Sequence, residues 1–200
     1  PRGHRSLVRR GHKDPHHRAV VSLGRTDPSP RGLLCPLGLM TQRTLSLLRH
    51  GDALPAEPGA TDFQRQLSTR GHTEINRLAQ QCIKQQLSAD WIYASTAVRA
   101  QASAAPFAKA WACPKIDLAE LYLADLAQLY DSLKQTPSDI QHVLLVGHNP
   151  GLSYMTHSLD AQQPPSELPT AGLVSFVITT EWVGLMPGCA NHVLTLTPNP

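Results

Sequence analysis

For residues 40–200 the sequence predicts an α/β domain: a mostly parallel central sheet with helices on both faces and a C-terminal β-hairpin. Three observations lead there. Short apolar runs bounded by polar residues alternate with stretches in which apolar residues return every three or four positions. One of those runs, VLLV at 143–146, is apolar enough to be a strand buried on both faces at the centre of the sheet. Two β-rich runs separated by Gly and Pro then close the chain.

The elements follow in order. Thr44 to Leu48 reads as a buried strand and leads into Arg49-His50-Gly51. After a polar loop from Asp52 to Asp62, Ile75, Leu78, Ala79, Cys82, Ile83 and Leu87 recur with the spacing of an amphipathic helix. Trp91 to Ala94 is a second strand. Ser95 and Thr96 are then expected to cap an Ala-rich helix running to Ala112, which Pro106 should kink or restart. Leu123, Leu126, Ala127, Tyr130 and Leu133 mark a further helix, and Pro137-Ser138-Asp139 turns the chain into the strand His142 to Val146. Asn149 followed by Pro150 matches an N-cap with proline at the first helical position, which predicts a helix to about Leu159. Gly172 to Thr180 and Asn191 to Thr197 form the predicted hairpin.

Composition narrows the class of protein. The chain has 200 residues, 41% hydrophobic and 16% charged, without an apolar run near the eighteen or so residues a membrane helix needs. Its net charge of +3 is unevenly spread. Residues 1–39 hold 8 Lys and Arg against 2 Asp, whereas the rest holds 10 against 13 acidic residues and all the aromatic ones. The first segment has 5 Pro, 4 His and no apolar period, so it cannot offset its ordering entropy and is expected to be a disordered basic tail. Met40, the first methionine, is read as the natural start, with residues 1–39 a non-native extension. His12, His16 and His17 lack the scaffold a metal site requires. Leu33 to Met40 is interrupted by Pro36, which speaks against a signal peptide. The four cysteines, at 35, 82, 113 and 189, form no CxxC pair and fit a reduced, cytoplasmic protein. Cys82 falls on the apolar side of its helix.

Ligands of such sheets collect beyond the carboxyl ends of the strands. Three strand ends there carry chemistry: Arg49-His50-Gly51, Ser95 leading to Arg99, and Gly147-His148-Asn149-Pro150. Singly each is an ordinary surface or loop residue. Together, two Arg and two His at one sheet edge make a cationic pocket in a domain whose own charge is −3, and guanidinium forks suit phosphate oxygens. No Walker loop and no Asp cluster for Mg²⁺ is present, so side chains must supply the charge compensation. A phosphoryl ligand, a histidine nucleophile and no metal or cofactor are the expectation.

Four stretches carry a family resemblance in order and spacing. LSLLRHGDA (45–53) resembles the opening strand and motif of the histidine phosphatase, or phosphoglycerate mutase-like, superfamily. RQLSTRG (65–71) resembles the segment that introduces its first helix, ASTAVRAQAS (94–103) its Ser-x-x-x-Arg-Ala motif, and VLLVGHNPGLS (143–153) its second-histidine strand and turn. The small size, the GHNP form and LPTAG (168–172) are most similar to the SixA-type phosphohistidine phosphatases. The resemblance implies that His50 takes the phosphoryl group, that Arg49 and Arg99 bind its oxygens, and that His148 helps hold the transition state. Two neighbouring Arg would keep His50 neutral. Many members protonate the leaving group with a carboxylic acid; Glu120 is the nearest candidate, and Asp52 is a second that could equally orient Arg49 or cap a turn. His72, His142, His157 and His192 have no such support.

The implied activity is a metal-independent phosphatase acting on protein phosphohistidine, with a histidine-phosphotransfer domain or similar as partner, in a monomeric protein that binds neither nucleic acid nor membrane. The alternatives are a phosphatase for a small phosphoester and a non-catalytic phospho-ligand binding module.

Overall fold

A computed structural model describes residues 42–162 and 166–198. The expectations for residues 1–39, Met40 as a start included, lie outside the described residues. Six strands form one sheet in the order β3-β2-β4-β1-β5-β6: β1 (Arg43–Arg49), β2 (Trp91–Ser95), β3 (Lys115–Leu118), β4 (His142–Gly147), β5 (Leu173–Ile178) and β6 (Ala190–Leu196). The pairings β3/β2, β2/β4 and β4/β1 are parallel, while β5 runs antiparallel to both β1 and β6. The predicted mostly parallel sheet, its central VLLV strand and the terminal hairpin are therefore present.

Alternation along the central strands sorts their side chains between two cores. Leu45 and Leu47 of β1 and Val143 and Leu145 of β4 face one; Leu48, Leu144 and Val146 face the other. The first core is closed by α3 (Leu126–Lys134) and α4 (Gly151–Leu159) through Leu129, Leu133, Leu152 and Met155. The second is closed by α1 (Thr69–Lys84) and α2 (Val98–Trp111) through Ile75, Leu78, Cys82, Ala100 and Phe107. Each fully buried Leu or Phe contributes about 1.5–3 kcal/mol of transfer free energy. Burial on both faces explains why the β4 run reads as continuously apolar.

Helix ends differ from expectation in instructive ways. Helix α1 starts earlier than its apolar period, because the Ser68 hydroxyl accepts the Gly71 N–H at 3.0 Å and caps it. Gly71 lies so close to the loop after His50 that a Cβ there would sit 2.1 Å from the Asp52 carbonyl oxygen. Neither Ser95 nor Thr96 caps α2; the N-cap is Ala97, which has no side-chain cap. Pro106 neither ends nor restarts that helix, which continues to Trp111. Proline forfeits one backbone bond there, but buried Ala104 and Phe107 on either side hold the helix against the sheet. The N-cap of α4 is Pro150 rather than Asn149, and the peptide between them is cis. Asn149 instead donates from Nδ2 to the Leu168 carbonyl at 2.9 Å.

Strand β3 is absent from the sequence reading. It has four residues, its apolar Ile116 and Leu118 are only partly buried, and it lies at the sheet edge, so neither length nor hydrophobicity marks it. Among the described residues, no helix is long and apolar enough to cross a membrane.

Candidate active site

Backbone pairing brings the strand ends together. The His50 N–H donates to the Gly147 carbonyl at 3.2 Å, so the residue after β1 lies beside the end of β4. On the other side the Arg49 N–H donates to Gly172 at 3.1 Å and the Ala171 N–H donates to His50 at 3.1 Å. His50, Arg99 and His148 are all buried.

The protonation of His50 follows from its neighbours. Its Nδ1 lies 2.8 Å from the Gly51 carbonyl oxygen, which can only accept, so Nδ1 carries the proton. Nε2 is then a lone pair, and it accepts the Arg99 Nε–H at 3.1 Å. Loss of hydration on burial, helped by the charges of Arg99, Arg49 and Arg65 and opposed by the Gly51 bond, lowers its pKa to about 4. The arginines named from the sequence do push in this direction, but desolvation is the larger cause. Behind the loop, Ser103 accepts the Gly51 N–H at 3.0 Å and donates to the Arg99 carbonyl at 2.7 Å, tying the His50 loop to the first turn of α2.

His148 packs against His50 with ring centroids 5.0 Å apart. Its Nε2 is 2.8 Å from the Ser95 hydroxyl, which also accepts the Ala97 N–H at 3.3 Å. Ser95 thus spends on His148 the side chain that was expected to cap α2. The His148 Nδ1 is buried without a hydrogen-bond partner. Burial first, then the proximity of His50 and Arg99, lowers its pKa to about 3. The edge of Tyr122 closes the far side, with centroids at 5.6 Å.

The two arginines are held by carboxylates that the sequence reading left out. Arg99 donates from Nη1 to the Asp62 carbonyl at 2.6 Å and from Nη2 to the Asp62 carboxylate at 2.9 Å. That carboxylate also accepts from the Tyr122 hydroxyl at 2.9 Å and from Arg65 at 3.1 Å. These three bonds, from Tyr122, Arg65 and Arg99, outweigh its partial desolvation and lower its pKa to about 2. Arg49 donates from Nη1 to Glu167 at 2.9 Å and to the Leu168 carbonyl at 2.8 Å. Asp62 closes a polar loop in the sequence, three residues before Arg65, and Glu167 precedes LPTAG; neither position has a spacing that marks it.

The remaining candidates are dispersed. The Asp52 carboxylate accepts from the Ser68 hydroxyl at 2.5 Å, joining the His50 loop to the cap of α1 rather than orienting Arg49. Glu120 is exposed on a 3-10 turn, Ala119–Leu121, that leads into Tyr122. His72 is exposed on α1. His192 bonds the Thr195 hydroxyl at 2.8 Å and packs on Phe176. Among the described residues, no three His, Cys, Asp or Glu are grouped to hold a metal ion.

A neutral imidazole whose Nε2 lone pair is held by the Arg99 Nε–H alone, a second neutral imidazole and two guanidinium groups can accept a tetrahedral oxyanion and, once that bond is released, attack its centre. Comparison with known proteins agrees. The model of the histidine phosphatase superfamily (branch 1) matches residues 45–139. Among solved structures, one named as phosphohistidine phosphatase SixA from Agrobacterium tumefaciens is 27% identical, with a TM-score of 0.66 over 78% of this chain and 99% of that one. One of the same designation from Nakamurella multipartitia is 24% identical, with a TM-score of 0.67 over 78% and 96%. A protein histidine phosphatase SixA complexed with tungstate is 23% identical, with a TM-score of 0.66 over 78% and 97%. No curated protein matches in sequence. The family match spans the strand that delivers His50 and the helix that delivers Arg99, and the solved structures extend the likeness in fold over the rest of the sheet: residues 45–139 are similar to the histidine phosphatase superfamily, and the sheet as a whole has the fold of the SixA structures.

Proposed function

We propose that the chain is a phosphatase that works through a phosphohistidine at His50 and that its preferred substrate is phosphohistidine on a protein. The observation that carries the first part is the orientation of His50: Nδ1–H is held by Gly51 and the Nε2 lone pair faces the Arg99 guanidinium. In the first step Nε2 attacks phosphorus. A P–N bond forms, the bond from phosphorus to the leaving nitrogen breaks, and that nitrogen takes the electron pair, while the proton already on its other ring nitrogen makes the departing imidazole neutral. In the second step water attacks phosphorus, the P–N electrons return to Nε2, and inorganic phosphate leaves. Splitting the transfer this way replaces one difficult displacement with two easier ones.

Arg99, Arg49 and His148 act on the charge that develops on the phosphoryl oxygens. Donors fixed before the reaction cost no reorganisation during it. The two arginines do the work a divalent metal does elsewhere, so activity should persist in chelator. The phosphohistidine preference draws on the likeness to SixA structures and on leaving-group chemistry. A phosphoimidazole departs as neutral imidazole once its other nitrogen is protonated, at an unperturbed pKa near 6.5, whereas an alkoxide needs a well-placed acid.

Quenching turnover of labelled phosphohistidine protein should trap label on the wild-type chain that is acid-labile and alkali-stable, and none on His50→Ala. Label on His50→Ala, or none on wild type, would overturn the covalent route. Faster turnover of sugar phosphates than of phosphohistidine protein, by tenfold or more in kcat/KM, would replace the substrate with a small phosphoester.

A further inference from the structure

Beside Arg49 opens a cavity of about 620 Å³, walled by the start of α4 and the segment before β5. Asn149, Ser153, Tyr154, His157 and Glu167 line it with Arg49 itself. It is far larger than a phosphoryl group needs, and it adjoins the pocket through a side chain that belongs to both. We propose that this cavity is the leaving-group subsite and that Glu167 makes it select uncharged or cationic leaving groups over anionic ones. This rests on the phosphatase reading above and adds to it a rule of substrate charge.

The argument is an inventory of charge. Among the described residues, Arg49 is the only Lys or Arg in the lining. Its Nη1 is already shared between Glu167 at 2.9 Å and the Leu168 carbonyl at 2.8 Å. Asn149 reaches the same Glu167 oxygen at 3.3 Å and holds the carboxylate at the cavity wall. A leaving group with its own carboxylate or phosphate therefore meets one negative charge and, once Arg49 engages the phosphoryl oxygens, no arginine to balance it. A neutral or protonated ring meets the opposite situation, with the 61% exposed Tyr154 beside it as a flat apolar surface. His157 is the other lining group able to take a proton and is controlled separately.

The test compares 4-carbamoylphenyl phosphate with 4-carboxyphenyl phosphate, which share shape and differ in charge. The ratio of their kcat/KM values in wild type, divided by that ratio in Glu167→Gln, cancels their intrinsic reactivities and the phosphoryl contacts common to both. A shift of about five- to tenfold in favour of the carboxylate is expected, as one screened charge at this range supplies, with a larger shift in Glu167→Lys and the same shift in a His157→Gln background. A double ratio within twofold of unity in both Glu167 variants would overturn the subsite while leaving turnover and the His50 label intact. Should neither phosphate be turned over, affinities of the two compounds for His50→Ala, with and without Glu167→Gln, still decide the charge rule, and the phosphatase reading fails only if phosphohistidine protein is not turned over either.

Discussion

The two walls of the pocket each offer one arginine, and they hold it differently. Arg99 is 3% exposed, and all three of its guanidinium nitrogens are committed: Nε to His50, the other two to Asp62. Arg49 is 21% exposed, and its ionic partner, Glu167, is itself 73% exposed. Arg99 springs from the first turn of a helix packed into a core; Arg49 ends a strand and leans on a loop. One wall is organised before substrate arrives, and the other must release a solvent-facing carboxylate to give its charge fully to a phosphoryl group. An ion pair as exposed as Arg49–Glu167 contributes little to stability.

This contrast is open to direct measurement. Arg99→Ala should lose on the order of a hundredfold or more in kcat, as removal of one preorganised transition-state donor does, while Arg49→Ala should lose roughly tenfold; equal losses would erase the distinction. Arg99→Lys should recover little, since an ammonium cannot bond His50 and Asp62 as a fork does. Asp62→Asn should cost about tenfold in kcat/KM by loosening the organised wall, without changing the leaving-group charge preference assigned to Glu167. Nuclear magnetic resonance of the His50 ring provides a second readout, because weakening the Arg99 contact changes the environment of Nε2.

The organised wall also makes the protein acid-sensitive. The folded-state pKa values of His50 and His148 lie near 4 and 3, below the ordinary imidazole value of 6.5. Between those values the unfolded chain binds protons that the folded one does not. Stability is therefore full above about pH 6.5 and falls as the pH drops toward 4, by on the order of 3 kcal/mol from His50 alone. Asp62, held near 2 against 3.8, adds a further loss only below about pH 4. Melting temperature should decline from pH 7 to 4 in wild type and decline less in His50→Gln. An equal slope in both would remove His50 as a cause.

Five of the six strands, both two-helix layers and the placement of Arg49, His50, Arg99 and His148 near one sheet edge were legible because each has a local signature: period, punctuation, or an Arg or His shortly after an apolar run. Residues defined by what comes near them from elsewhere were not. Asp62 reads as the end of a polar loop, and its role comes from the return of α2 after 37 residues. Ser95 reads as a helix cap because serine before a helix commonly is one, and a histidine 53 residues away takes its hydroxyl instead. Strand β3 escaped for a different reason: an edge strand of four residues is only half-buried and need not be strongly apolar.

Strand β5, reversed against its neighbour, gives the architecture a separable part. A parallel strand at that position would begin at the opposite edge of the sheet. Because β5 runs the other way, the segment before it arrives at the catalytic edge and supplies Glu167 and the Leu168 carbonyl to Arg49, and Ala171 and Gly172 to the backbone of His50 and Arg49. Its two attachment points, the end of α4 and the start of β5, are both set by the sheet. Under the proposed function, the segment before β5 would set the kind of molecule accepted, separately from the strands that carry Arg49, His50 and His148. A transplant of the equivalent stretch from a relative with a different substrate would test that division of labour.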